Sequence, residues 1–224
     1  SPNFGLDVPM EQISKGNGGS CVLSAYSSSV INLNNHLTTS LGITAQYFTL
    51  NKNWTVEPRA ALKWTFNPKH ALALAYGLHS RRERLDYYFV EQEVNGKTES
   101  NRYLNFSKAH HFGLTYDWNI NSYMHLKVEP YYQYLFRIPV EENSSFSIIN
   151  HQSFYLERIL KNRGSGVNYG IDITLEQYMK NGFYYMITAS LFKSRYKAGD
   201  HIWRNTRLDK NYLLNVLAGK EWMV

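Results

Sequence analysis

Among 224 residues the chain has a single cysteine, Cys21, only six prolines, and no apolar run near the roughly 18 residues that a membrane helix needs. The longest apolar candidates, ALALAYGL (71–78) and MITASLF (186–192), are too short, so no helical membrane span is expected. One cysteine cannot close an intrachain disulfide, which excludes a disulfide scaffold, a zinc ribbon and an iron–sulfur site. Catalytic signatures are missing too. There is no HExxH and no CxxC, and GSG (164–166) lacks the flanks of a nucleophile elbow. GNGGS (16–20) precedes no strand–helix unit, so a flexible lead-in over residues 1–21 is expected instead of a phosphate cradle. His110 and His111 are adjacent, and on a strand they point to opposite faces, which disfavours a shared metal. Asp172 and Glu176 would lie roughly 13 Å apart on a strand, too far for a carboxylate dyad. The expectation is a non-enzyme with no catalytic residue, no metal site and no cofactor.

Charge of one sign is not concentrated either. The 24 Lys+Arg outnumber the 18 Asp+Glu, giving +6, but the cations are spread along the chain. Only RRER (81–84) forms a cluster, read as a solvated loop, so no nucleic-acid partner is expected.

What the chain has is aromatics, 18 Tyr, 11 Phe and 5 Trp, and a hydrophobic periodicity of two. Met124, Leu126, Val128, Pro130, Tyr132, Tyr134 and Phe136 alternate with His125, Lys127, Glu129, Tyr131, Gln133 and Leu135. The same pattern runs through 54–66, 111–118 and 167–176. It predicts about nine strands, at 22–32, 37–50, 54–66, 70–81, 108–119, 122–138, 166–178, 182–196 and 210–224. Several are as long as the 9 to 11 residues that cross a bilayer at a tilt. LNNH (33–36), NPKH (67–70), NINS (119–122) and MKNG (179–182) read as tight turns. They alternate with LNKN (50–53) and with long segments at 82–107, 139–165 and 197–209. Short turns on one rim and long loops on the other are what an up-and-down membrane barrel has. Trp54, Trp64, Phe66, Trp118, Tyr134, Phe136 and Phe183 fall toward the ends of the apolar faces, as interfacial girdles would. A soluble β-sandwich binding module, for instance one for carbohydrate, has the same alternation and stays open as the alternative.

Three stretches carry a resemblance: 37–81, which contains VEPR (56–59); 108–140; and 162–196, which contains GVNYGIDITLE (166–176). They resemble barrel-strand phrases of TonB-dependent outer-membrane receptors of the Bacteroidetes type, and WRNT (203–206) resembles a phrase of a late extracellular loop in that family. The resemblance implies an all-β antiparallel meander over 22–224, part of a transmembrane barrel of about 22 strands. It implies energised uptake of a scarce nutrient (siderophore, vitamin, glycan or peptide) across the cell outer membrane. The implied partners are outer-membrane lipid, a plug domain and further barrel strands outside this chain, and an energy-transducing inner-membrane complex reached through an N-terminal region. The chain then reads as an internal piece of such a barrel. Loop candidates for contact with the nutrient are Arg81, Arg82, Arg84, Tyr87 and Tyr88.

Overall fold

The computed structural model describes residues 20–94, 96–153 and 155–222, so the expected lead-in lies, up to residue 19, outside the described residues. The strands are β1 (Val22–Asn34), β2 (Leu37–Phe48), β3 (Asn53–Asn67), β4 (His70–Arg81), β5 (Glu91–Val94), β6 (Lys97–Ser100), β7 (Ser107–Asn121), β8 (Met124–Val140), β9 (Lys161–Lys180), β10 (Phe183–Lys197), β11 (Trp203–Asn205) and β12 (Tyr212–Lys220). Short 3-10 turns at Leu85–Phe89, Asn101–Tyr103 and Ile148–Asn150 are the only helical segments among the described residues. The chain is all-β.

The long strands form one antiparallel meander in the order β1-β2-β3-β4-β7-β8-β9-β10. β10 then pairs with β12 over Phe183–Leu191 and with β11 over Arg195–Lys197. A separate hairpin, β5-β6, sits within the loop that joins β4 to β7.

Asparagine closes the tight turns, and it does so in a repeated way. The side-chain oxygen of Asn34 accepts from the His36 amide (2.8 Å), that of Asn67 from Lys69 (2.8 Å), and that of Asn121 from Tyr123 (3.0 Å). Each is an Asx turn, in which the side chain replaces a backbone acceptor two residues back. The fourth turn uses backbone freedom instead. Asn181 and Gly182 both have left-handed φ, 55° and 75°, the mirror-image turn whose twist matches that of the strands it joins.

Register gives the sheet one apolar and one polar face. Leu62, Leu74 and Leu114 lie side by side across three strands, as do Trp64, Leu72 and Tyr116 one row away. Rings gather at both ends of this apolar face. Near the turn rim His70 stacks on Trp118 (5.7 Å), and near the loop rim His110 stacks on Phe136 (5.0 Å). No second sheet covers the face among the described residues, and Leu74 is 58% exposed, so the β-sandwich alternative is not what forms. The polar face carries polar pairs and amide ladders: His125 hydrogen-bonded to Asp117 (3.1 Å), the ion pair of Lys127 with Glu129 (2.8 Å), and a chain Gln133–Asn168–Ser194–Thr206 linked at 2.7–3.1 Å.

The main buried apolar cluster is in the loops. Tyr87, Tyr88, Val90, Leu104, Phe106, Leu156 and Leu160 pack on Phe48, where β2 ends. β8 and β9 run further than the alternation suggested. They continue pairing to Val140 and Lys161, so the loop between them shrinks to 141–160. The extension passes a β-bulge at Arg137, whose φ is 54°. The extra residue reverses the facing of the strand beyond it. Ile138 is buried and lines a cavity together with Leu135. The expected strand over 210–224 is shorter, Tyr212–Lys220, and residues 223–224 lie outside the described residues.

Candidate functional site

The site begins where β3 and β4 part. Pro58 has no amide hydrogen to give to β4, and the β3–β4 ladder stops one residue away, at Arg59 beside Gly77. The freed end of β3 is held by side chains. Thr55 and Ser80 share a hydroxyl hydrogen bond (2.8 Å), while the buried Glu57 accepts from Gln46 (2.7 Å) and pairs with Arg59 (3.4 Å).

Two loops fold over this end of the polar face, and asparagines join them. Asn101, 1% exposed, donates its side-chain N–H to the Arg158 carbonyl (2.8 Å) and accepts from the Leu160 amide (2.7 Å). Asn162 accepts from the Asn105 amide (2.8 Å) and donates to the Arg137 carbonyl (2.7 Å), and Asn51 donates to the Leu104 carbonyl (2.8 Å). Ser100 and Ser147 cap the short helical turns of the two loops by accepting from Arg102 and Ile149.

Beneath this roof is a cavity of about 460 Å³, bordered by His79, Glu83, Lys108, His111 and His151 on its polar side and by Leu135, Ile138 and Ile149 on its apolar side. Gly77 is cross-strand from His111, and its missing side chain leaves room for the His79 ring. A Cβ there would lie 2.7 Å from His79 Nε2. The His79 and His111 rings thereby come to 4.4 Å of each other. Glu83, 3% exposed, accepts from Ser107 Oγ (2.5 Å), and the Arg81 guanidinium is 4.0 Å away. Its own amide donates to Tyr88 Oη (3.3 Å). Burial pushes the Tyr88 phenol up to about 12, and burial also raises Tyr87, so both stay neutral. His151 sets its ring edge-on to Tyr87 and Phe146, and its Nε2 is buried without a hydrogen-bond partner. Among the described residues no three His, Cys, Asp or Glu side chains converge as metal ligands. The cavity offers hydrogen bonds and both signs of charge against an apolar wall, a combination suited to holding an amphiphilic small molecule.

The loop candidates separate into two groups. Arg81 borders the cavity with its side chain 80% exposed. Arg82 lies on the roof, donating to the Glu83 carbonyl (3.2 Å) with its guanidinium 6.0 Å from the Phe48 ring. Arg84 makes a two-pronged pair with Asp86 (3.1 and 3.0 Å) and lies 5.4 Å over the Tyr87 ring. Tyr87 and Tyr88 are core residues of the roof. The histidines and Glu83 were not among the sequence-based candidates. The parity of β4 and β7 places His79 and His111 on the polar face, but only the register makes them neighbours.

No protein-family model matches the chain, and no curated protein matches it by sequence. Solved structures do. The ferric-catecholate import receptor Fiu of E. coli K12 matches with a TM-score of 0.66 at 8% identity, over 89% of this chain and 32% of that one. The ferripyoverdine receptor of the Pseudomonas aeruginosa outer membrane matches with a TM-score of 0.65 at 9% identity, over 92% of this chain and 26% of that one. The RagAB peptide importer matches with a TM-score of 0.57 at 14% identity, over 79% and 22%. The sheet has the fold of a TonB-dependent receptor barrel segment. This chain spans less than a third of each of these proteins.

Proposed function

We propose that residues 22–224 are a stretch of barrel wall from an outer-membrane TonB-dependent receptor that takes up a scarce nutrient, with residues 1–21 as its lead-in. The observation that carries this reading is the sheet's two-facedness: an open apolar face with rings at both ends, opposite a polar face roofed by long loops. In a bilayer the first face meets lipid and the second lines the lumen, where charges such as Glu57, Lys127 and Glu129 keep water or polar partners. The nutrient enters from the loop rim and meets the cavity under the roof, with Arg81, Arg82 and Arg84 as outer contacts. Tyr87 and Tyr88 become available to it when the roof opens. A plug, the remaining strands and an energy-transducing inner-membrane complex complete the transporter. The VEPR (56–59) and GVNYGIDITLE (166–176) phrases support the Bacteroidetes type.

Orientation tests the reading. In a Cys21→Ser background, Ser145→Cys in the loop rim is expected to react with a membrane-impermeant maleimide on intact cells. Asn35→Cys in a tight turn should react only after lysis. Labelling of Asn35→Cys on intact cells, or absence of the protein from the outer-membrane fraction, refutes the proposal.

A further inference from the structure

The apolar face ends, at the loop rim of β10, in two cations that no carboxylate among the described residues neutralises. Down this face of β10 run Ile187, Ala189 and Leu191, cross-strand from Leu175, Ile173 and Ile171, and the same parity continues into Lys193, Arg195 and Lys197. Lys193 turns to Asp209 (3.8 Å). Nearby, Arg204 is taken by Asp200 (2.6 Å) and Arg163 by Glu142 (2.6 Å). Among the described residues no carboxylate lies within ion-pair distance of Arg195 or Lys197. Both instead converge on one indole: the charged ends of Arg195 and Lys197 lie 5.8 and 5.7 Å from the Trp203 ring. β11 places Trp203 opposite Lys197, and the residue is 38% exposed.

Their level is set by register. Arg195 lies beside Val167 and Val167 beside Tyr134; Lys197 lies beside Ser165 and Ser165 beside Phe136. Tyr134 and Phe136 are stacked rings of the loop-rim girdle (6.1 Å). The cations therefore share rows with interfacial aromatics, one step past the apolar band. Hydrocarbon would not tolerate unpaired charge there, but lipid headgroups supply counter-charge at that depth. At the turn rim single cations lie over single rings, Lys180 over Tyr123 and Lys220 over Trp222. Here two cations meet at one place.

We propose that Arg195, Lys197 and Trp203 form a binding site for the phosphate of a phosphorylated membrane-lipid headgroup. Arg195 offers a planar donor fork to the phosphate oxygens and Lys197 a second cation, while Trp203 holds both in place and packs on the headgroup's apolar shoulder. The inference rests on the membrane reading above. It is tested on protein extracted from the outer membrane in mild detergent, by native mass spectrometry with added phosphatidic acid or phosphatidylcholine. Phosphatidic acid should bind selectively, and Arg195→Gln with Lys197→Gln should weaken it about 30-fold, as the loss of two surface cations implies. The swapped pair Arg195→Lys with Lys197→Arg, which also controls for folding, should bind within about threefold of the parent. Equal binding by the glutamine variant or equal binding of phosphatidylcholine overturns the site and leaves the transporter reading intact. A protein that never enters the membrane fraction overturns both.

Discussion

Asn101 is the residue through which the roof can be loosened with least disturbance to the wall. It belongs to no long strand, yet its side chain joins one loop to the other at two points, the Arg158 carbonyl and the Leu160 amide. Asn101→Ala removes both bonds and leaves a donor and an acceptor without partners, beside Leu160, itself a buried residue. A buried group left unsatisfied costs about 1–3 kcal/mol, so about 3 kcal/mol for the pair is a moderate figure, or roughly a hundredfold in the opening equilibrium. Asn105→Ala is the matched control. Asn105 meets Asn162 through its backbone amide and carbonyl, so truncating its side chain should change little. Amide hydrogen exchange at Leu160 and Leu104 reports the opening, and amides in the centres of β7 and β8 report the wall. The reasoning fails if Leu160 exchanges at the parent rate in Asn101→Ala, if Asn105→Ala speeds it equally, or if wall amides speed up with it.

The faces and the rim give two further expected outcomes. Leu74→Glu, between Leu62 and Leu114 on the apolar face, should cost about 2 kcal/mol in urea unfolding from lipid vesicles, while Ala73→Glu, beside Lys63, should cost little; equal costs would refute the assignment of faces. The hydrogen bond from Lys161, with Arg163 close by, holds the Glu142 carboxyl below its usual 4.5, so its contribution is present above that pH and is lost as pH falls through the lower folded value. Exchange protection around 141–163 should be level between neutrality and about pH 5 and decline below about pH 4, and a decline centred near pH 6.5 would point to a histidine instead.

The wall was legible in the sequence because its causes are local. Alternation sets a strand's faces within the strand itself, and Asn34, Asn67 and Asn121 each close a turn through an amide two residues on. The roof was not legible, because its order comes from partners 51 to 65 residues apart, which no window of periodicity spans. The β5-β6 hairpin is hidden in the alternation although an Asn-Gly pair at 95–96 signals it, since Glu91, Gln92 and Glu93 show no apolar period. The extension of β8 is masked by the bulge at Arg137, which breaks the period of two at the place where a loop would be expected to begin. Of the cavity, the sequence pointed to Arg81. The meeting of His79 with His111 depends on an absent side chain at Gly77, on a neighbouring position of the same strand.

The asparagine links between the loops also bear on the order of events as the chain assembles. Each long strand up to β10 pairs with its nearest long neighbour in sequence, so the wall can grow one hairpin at a time, each finished edge serving as template for the next. The roof cannot form that way. Asn101 waits for Arg158 and Leu160, and these come into place only when β8 has been laid on β7 and the chain has turned back toward β9. Closing that long loop carries its entropy cost late, after the wall is available to offset it. The mouth is therefore the last part to acquire its shape, and pulse-labelled exchange should find the Leu160 amide protected after the β7 and β8 amides, not before them.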